Sequence, residues 1–209
     1  MVISVNRIHA AFTIGVVLLL LVPLTLQLAT VSAQTTGYTI TSVDHSVDVT
    51  YTGQVVIQDT VHVTGQVSDG FTIGLPAKYS VDVLKAIAYD SNNIYQVNLG
   101  EQLGSQSGFY GVEVNFNGHS PSVFTVAITL SNNVLTIDQS TGEYILDYPA
   151  YPGLTQNVAA CNVTLTLPGA PTDIIISKPD GTIEGDNYNI QNLPAYTYSV
   201  GAAEITVEL

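Results

Sequence analysis

The stretch VDHSVDVTYTGQVVIQDTVHVTGQVSDGFTIGL, Val43 to Leu75, decides the fold. Apolar residues recur at Val43, Val47, Val49, Tyr51, Val55, Ile57, Val61, Val63, Phe71, Ile73 and Leu75. Between them stand polar side chains such as Asp44, Ser46, Asp48, Thr50, Gln58, Thr60 and His62. A period of two means strands with one buried and one wet face. Gly53 divides the first strand from the second, and Gly65 to Gly70 divides the second from the third. A slip by one residue would bury Asp48, Thr50, Gln58 and Thr60, at about 1–3 kcal/mol for each unpaired group. The register is therefore strongly specified. Two residues break the apolar series, His45 and Asp59. A carboxylate on the core side predicts a β-bulge or strand end near Asp59, where it reaches solvent or a backbone donor.

Residues 1–33 read as a secretory signal. Arg7 marks a short basic region, Ala10 to Ala29 is apolar, and Val31-Ser32-Ala33 supplies small residues for cleavage before Gln34. The alternative is an uncleaved membrane anchor, since the apolar run approaches spanning length; Pro23 and the cleavage site favour removal. The chain is thereby expected outside the cell or on the outer face of a membrane.

From Gln34 onward three lysines, Lys78, Lys85 and Lys178, face 17 acidic side chains, a formal charge of −14. Such a balance excludes nucleic acid as a partner, which needs basic patches. Few charges with many Thr, Ser, Val and Tyr suit strands covered by hydroxyls. Cys161 is the lone cysteine, so no internal disulfide forms. It alternates with Val163, Leu165 and Leu167 and reads as a small buried hydrophobe.

Further strands are expected at Tyr38–Ile40 and Ile94–Leu99; the apolar positions of Tyr79–Asp90 suit either a strand or a helical turn, with a strand bent near Lys85 favoured. Gly100 to Gly108 reads as a loop. Strands at Phe109–Phe116 and Ser122–Leu130 flank the turn signal Asn117-Gly118. Val134–Ile137 and Glu143–Tyr148 follow. PAYPGLTQ, Pro149 to Gln156, is the best boundary, because its prolines interrupt the pattern. Strands then recur at Val158–Leu167, Ile174–Ser177, Tyr188–Ile190, Tyr196–Val200 and from Glu204. The fold class is all-β: one or two packed antiparallel β-sandwich units after the signal segment. Residues 34–148 form a first sandwich; residues 149–209 form a smaller β-unit packed on it, or a truncated one.

No catalytic constellation is apparent. Gly118-His119-Ser120 lies in a hairpin loop and lacks the G-x-S-x-G context of a nucleophile. His45 and His62 fall on opposite faces, so they do not share a zinc ion. Asp180, Glu184, Asp186, Asn187 and Asn189 supply oxygens without EF-hand spacing and read as a solvated turn rather than a calcium loop. No cofactor is expected. Asn162-Val163-Thr164 is a glycosylation sequon, and Asn162 should point outward if Cys161 points inward. Tyr144, Tyr148, Tyr151, Tyr188, Tyr196 and Tyr198 either pack between sheets or line a sugar- or peptide-binding surface.

With these residues laid out, the chain resembles the lumenal part of ribophorin I, an oligosaccharyltransferase subunit, and its archaeal relatives. The resemblance is carried by VDVTYTGQVVIQDTVHVTG (Val47–Gly65), FTIGLP (Phe71–Pro76), FTVAITLSNNVL (Phe124–Leu135), DYPAYP (Asp147–Pro152), NVTLTLPG (Asn162–Gly169) and LPAYTYSVGAAEITVEL (Leu193–Leu209), in that order. It implies packed β-sandwich units outside a membrane, without catalytic residues, that support a glycosylation complex and present acceptor chains. The family continues into more β-structure and a membrane helix, whereas this sequence stops at Leu209. The expected function is an exported non-catalytic scaffold for glycosylation or cell-envelope assembly. Its partners would be an envelope or membrane protein complex, with a glycan or acceptor polypeptide as ligand. The alternative is a surface-layer or adhesion module of the envelope.

Overall fold

From Tyr38 onward the alternation becomes paired strands. The computed structural model describes residues 37–67, 70–169 and 171–206; the expected signal segment, residues 1–33, lies outside the described residues. Fifteen strands follow in order: β1 (Tyr38–Val49), β2 (Val55–Gly65), β3 (Phe71–Pro76), β4 (Val83–Tyr89), β5 (Ile94–Leu103), β6 (Gln106–Asn115), β7 (Val123–Leu130) and β8 (Leu135–Ile137). The remainder are β9 (Tyr144–Tyr148), β10 (Gly153–Leu154), β11 (Val158–Thr166), β12 (Asp173–Lys178), β13 (Gly181–Glu184), β14 (Asn187–Leu193) and β15 (Gly201–Thr206). The protein is all-β, as the alternation predicts. No helix among the described residues is long and apolar enough to cross a membrane.

The larger sheet runs β10-β3-β6-β5-β4-β7-β2-β1-β11-β14, and the smaller runs β13-β12-β15-β9-β8. Neighbours are antiparallel except β1 and β11, which pair in parallel from Ser42–Ala160 to Asp48–Thr166. The large sheet bends back on itself where β4 meets β5, a junction of only two residue pairs, Ala88–Tyr95 and Tyr89–Ile94. The fold-over is visible in the rings. Phe71 on β3 meets Phe124 on β7 edge-on at 4.9 Å, although three strands separate β3 from β7 in the sheet. Phe116 joins Phe124 at 4.9 Å, and Tyr95 joins Phe116 at 4.9 Å. Offset and edge-on rings are the favoured arrangement of aromatic pairs.

The expected boundary at Tyr148/Pro149 does not divide the sheets. From the segment after it, β10, β11 and β14 join the large sheet, while β12, β13 and β15 share the small one with β8 and β9. Residues of both sheets enter one apolar core. The physical reason is that the prolines mark a strap buried between sheets, described below, rather than an exposed linker.

The β1–β2 register sets Val43 opposite Val61, Val47 opposite Ile57 and Val49 opposite Val55, all six buried. Tyr51 departs from the expected pattern. It sits in the hairpin turn beyond the ladder and is 91% exposed. Tyr79–Asp90 is not one bent strand: a 3-10 turn over Ala77–Asp82 precedes β4, whose register shifts between Val83 and Lys85. Gly100–Gly108 is no loop; β5 and β6 extend through most of it, with register shifts beside Glu101. Irregular ladders of this kind hide the period of two. Asn117 and Gly118 form the expected turn, with φ of 52° and 84° and the His119 amide donating to the Phe116 carbonyl at 3.0 Å. Tyr196–Val200 forms no strand, and β15 begins at Gly201.

Val61 is fully buried. Half-buried Thr60 faces the other way, its hydroxyl 2.8 Å from that of Thr125. Val61→Asp should cost more than about 4 kcal/mol and unfold the protein, and Thr60→Val about 1 kcal/mol or less. Urea denaturation of the two variants checks this; similar losses for both would refute the one-sided reading of β2.

Candidate functional site

The groups with the most chemical potential meet inside the core. His45 on β1 lies opposite Asp59 on β2, and both are almost fully buried. His45 Nδ1 is 2.6 Å from Asp59 Oδ1. His45 Nε2 is 2.9 Å from the Pro149 carbonyl oxygen. A carbonyl only accepts, so Nε2 carries a hydrogen and donates to it. The short Nδ1–carboxylate contact holds a second proton, whether written as imidazolium and carboxylate or as imidazole and acid. Either way the pair is neutral overall, which is what allows it to be buried.

No bulge or strand end occurs near Asp59, contrary to the sequence expectation. The β1–β2 ladder is regular from Ser42 to Val49, and the Asp59 carboxylate points into the core. Its cross-strand partner His45 supplies the donor that a bulge would otherwise have had to expose. The two residues that break the apolar series therefore break it together.

Their purpose is the strap Asp147–Leu154, which crosses between the sheets. Buried irregular backbone must find partners for its polar groups. Pro149 and Pro152 have no N–H and so reduce the number of donors to satisfy. The Pro149 carbonyl accepts from His45, and the Ala150 carbonyl accepts from the Tyr188 hydroxyl at 3.0 Å. Buried Ser199 serves both groups of Tyr151: the Tyr151 amide donates to Ser199 Oγ at 2.8 Å, and Ser199 Oγ donates to the Tyr151 carbonyl at 2.9 Å. At the start of the strap, Asp147 accepts from Lys78 Nζ at 2.6 Å and from the Tyr79 hydroxyl at 2.7 Å. On the far side, Asp180 accepts from the Tyr151 hydroxyl at 3.1 Å and from Lys178 Nζ at 2.6 Å. Gly153 ends the strap against β3. A Cβ there would lie 2.9 Å from the Gly74 carbonyl oxygen and 2.9 Å from the Phe109 ring, so no larger residue fits.

The tyrosines thus belong to packing more than to a surface. Tyr148 and Tyr151 are buried and Tyr188 is half-buried, whereas Tyr144 and Tyr198 remain exposed. Burial pushes the hydroxyls of Tyr148, Tyr151 and Tyr188 above the ordinary tyrosine range, reinforced at Tyr151 by the Asp180 carboxylate. Tyr79 is raised by burial and by Asp147. The Tyr148 hydroxyl neighbours that of Tyr188 without a hydrogen bond of acceptable geometry. Cys161 is buried as expected, and burial, followed by the negative field of Asp59 and Asp44, pushes its thiol up. Such a thiol is inert.

The remaining candidates separate. His62 Nε2 lies 3.2 Å from Asp44 on the outer face of the large sheet, away from His45. His119 stands against the Tyr95 ring, and Ser120 Oγ accepts from the Val67 amide. Asp180 is taken by Tyr151 and Lys178, and Asp186 accepts from Asn187. Among the described residues no three His, Cys, Asp or Glu side chains gather as metal ligands. Asn162 points outward, with its Nδ2 donating to Asp44 at 2.7 Å and its Oδ1 accepting from Asn189 at 2.6 Å.

What the outer surface offers is a groove of about 400 Å³ between the β1–β2 hairpin and the small sheet. Val49, Tyr51, Leu135, Tyr144, Leu167 and Pro168 line it, and among the described residues no charged side chain does. Sequence reasoning missed this groove because it assigned Tyr51 to the core. The placement of Gly53 offered a signal: a residue two before a turn glycine often belongs to the turn.

The site and fold together define an all-β sandwich module with a buried polar strap and an uncharged surface groove. No protein-family model matches the chain, and no curated protein matches it. Among solved structures, it is similar to an aminopeptidase N family protein of Idiomarina loihiensis, with a TM-score of 0.51 and 12% identity over 77% of this chain and 29% of that one. Native leukotriene A4 hydrolase of Saccharomyces cerevisiae gives a TM-score of 0.48 and 12% identity over 81% and 29%. The chain spans under a third of the length of these proteins, and identity this low conveys the fold alone.

Two outcomes follow from the strap. Asp59→Leu leaves His45 Nδ1 without a partner in the core and should cost about 3–5 kcal/mol, whereas Asp59→Asn, whose amide NH2 can donate to the bare Nδ1 of a neutral imidazole, should cost about 1–2 kcal/mol. Equal losses in urea denaturation would refute the buried pair. The second outcome concerns alkali. Unfolded tyrosines ionise near pH 10, while buried Tyr79, Tyr148 and Tyr151 and half-buried Tyr188 hold their protons to higher pH. Above about pH 10 the unfolded chain therefore binds fewer protons than the native one, and stability falls as pH rises. Tyrosinate absorbance of these buried rings should appear in one step with loss of far-ultraviolet circular dichroism. Their gradual ionisation in an intact fold would contradict their burial.

Proposed function

We propose that the chain is an exported, non-catalytic β-sandwich scaffold of the ribophorin I kind. It supports a membrane glycosylation or envelope-assembly complex and contacts an uncharged polypeptide segment through the Tyr51 groove. The observation that carries this reading is how the chemical groups are allocated. His45 resembles the histidine of a catalytic triad, with a carboxylate at Nδ1. Its Nε2, which would have to reach a nucleophile, is committed instead to the Pro149 carbonyl inside the core. Cys161 is sealed nearby. Meanwhile the accessible hollow presents an aromatic face and prolines without charge, which suits apolar or proline-containing chain better than a substrate needing acid–base chemistry. The expected location is the outer face of a membrane, and the acidic surface favours a partner other than nucleic acid.

Affinity purification of the tagged protein from its native membranes, with mass spectrometry of what accompanies it, tests the reading. A catalytic oligosaccharyltransferase subunit should co-purify with the wild type and be reduced at least about tenfold with Tyr51→Ala, the size of effect expected for a central aromatic contact. Recovery of surface-layer proteins in its place would favour the envelope adhesion module. Recovery of neither would sink the scaffold reading.

A further inference from the structure

We propose that β14 is a self-pairing edge through which two copies of this chain associate into a closed dimer. The proposal rests on the edges of the two sheets and is independent of the scaffold reading. Unpaired edge strands invite another chain, and proteins blunt them by keeping them short, charged, bulged or covered. Among the described residues the two sheets have four edges, and three are short: β10 has 2 residues, β8 has 3 and β13 has 4. The fourth, β14, has 7 residues, NYNIQNL, and none is charged or proline. It pairs with β11 on one side, and no strand among the described residues lies on the other.

The chemistry of the strand suits a second copy of itself. The chain is strongly acidic, so most self-contacts would bring like charges together, yet β14 is free of charge. Its outward side chains end an amide ladder. Gln191 Nε2 donates to Asn189 Oδ1, Asn189 Nδ2 to Asn162 Oδ1, and Asn162 Nδ2 to Asp44 Oδ1. Antiparallel pairing about Asn189 sets Asn189 opposite the partner's Asn189 and Asn187 opposite the partner's Gln191. The ladder then continues into the second copy, amide to amide. On the inner side the same register puts Tyr188 opposite the partner's Ile190, an aromatic–β-branched pair of the favourable kind. Both residues are half-buried at the open edge, with apolar surface left to cover. Asn192, at φ 55°, bends the strand and ends the pairing region on that side.

Because both copies use the same strand, the contact is isologous and closes at two. The opposite edge of the large sheet is only the two residues of β10, too short to propagate a fibre. The contact is small, so main-chain hydrogen bonds rather than buried area hold it, and the dimer is weak, with a Kd of about 10–100 μM.

Sedimentation equilibrium of the purified chain from about 1 μM to 1 mM spans that range. Wild type should pass from monomer to dimer. Asn189→Lys and Asn189→Glu each place like charges across the dyad and should weaken association at least about tenfold, with unchanged circular dichroism. Mixing the two variants in equal amounts should restore a dimer, because the charges across the dyad are then opposite. The proposal is overturned by a wild type that stays monomeric throughout, by association that neither variant weakens, or by a mixture that fails to recover.

Discussion

The donation from His45 Nε2 to the Pro149 carbonyl is the constraint around which the molecule is arranged. A strap of irregular backbone in a dry interior is unfavourable unless each polar group is met. Here the nearest strand supplies a histidine, and the histidine must then be neutralised and oriented, which Asp59 does from the neighbouring strand. One carbonyl thus accounts for two of the four buried polar residues among those described, His45 and Asp59; Ser199, bound to Tyr151, accounts for a third. Breaking any member leaves a buried group unpaired, which is more costly than never having placed it there.

The strap also explains the topology. β9 leads into it from the small sheet, and β10 leaves it onto the edge of the large one. The chain then returns as β11 beside β1 in parallel, a geometry no hairpin can make. The crossover between β1 and β11 is therefore the rest of the sandwich itself, with the strap as its last leg. Two lysine–aspartate–tyrosine contacts brace that leg. Lys78 and Tyr79 hold Asp147 at one end, while Lys178 and Tyr151 meet at Asp180 on the other. Each lysine also lies over a ring, Lys78 over Tyr79 at 4.7 Å and Lys178 over Tyr188 at 5.6 Å, where a cation is attracted to the aromatic face. Of Lys78, Lys85 and Lys178, two are placed in this way.

What could be read from the sequence was whatever depends on neighbours along one strand. The faces of β1, β2 and β7, the Asn117-Gly118 turn and the inward Cys161 follow from local alternation. What escaped depends on partners distant in sequence. Asp59 looks like a misfit until its cross-strand neighbour is known to be His45 rather than a valine. Pro149 and Pro152 look like a linker, because prolines that avoid unsatisfied donors in a buried strap use the same letters as prolines that stiffen a surface loop. Gly100–Gly108 looks like a loop because register shifts and glycines erase the period of two within a genuine hairpin. Tyr51 keeps the correct parity for the core but falls beyond the last ladder pair, Val49–Val55, so parity no longer fixes its direction.

The division of polar chemistry between inside and outside bears on function. Inside, His45 and Asp59 are committed to each other and to the Pro149 carbonyl, and the Cys161 thiol is buried. Outside, the wide sheet face is covered by amides, hydroxyls and a few carboxylates that hydrogen-bond one another, as Asp44, Asn162 and Asn189 do. A surface satisfied by its own ladder gains little from binding small polar ligands, since each new hydrogen bond would replace an existing one. Among the described residues, places with partners missing rather than exchanged include the uncharged groove beneath Tyr51 and the open backbone of β14. To the partners proposed for them, the groove offers apolar contact and the edge main-chain hydrogen bonds.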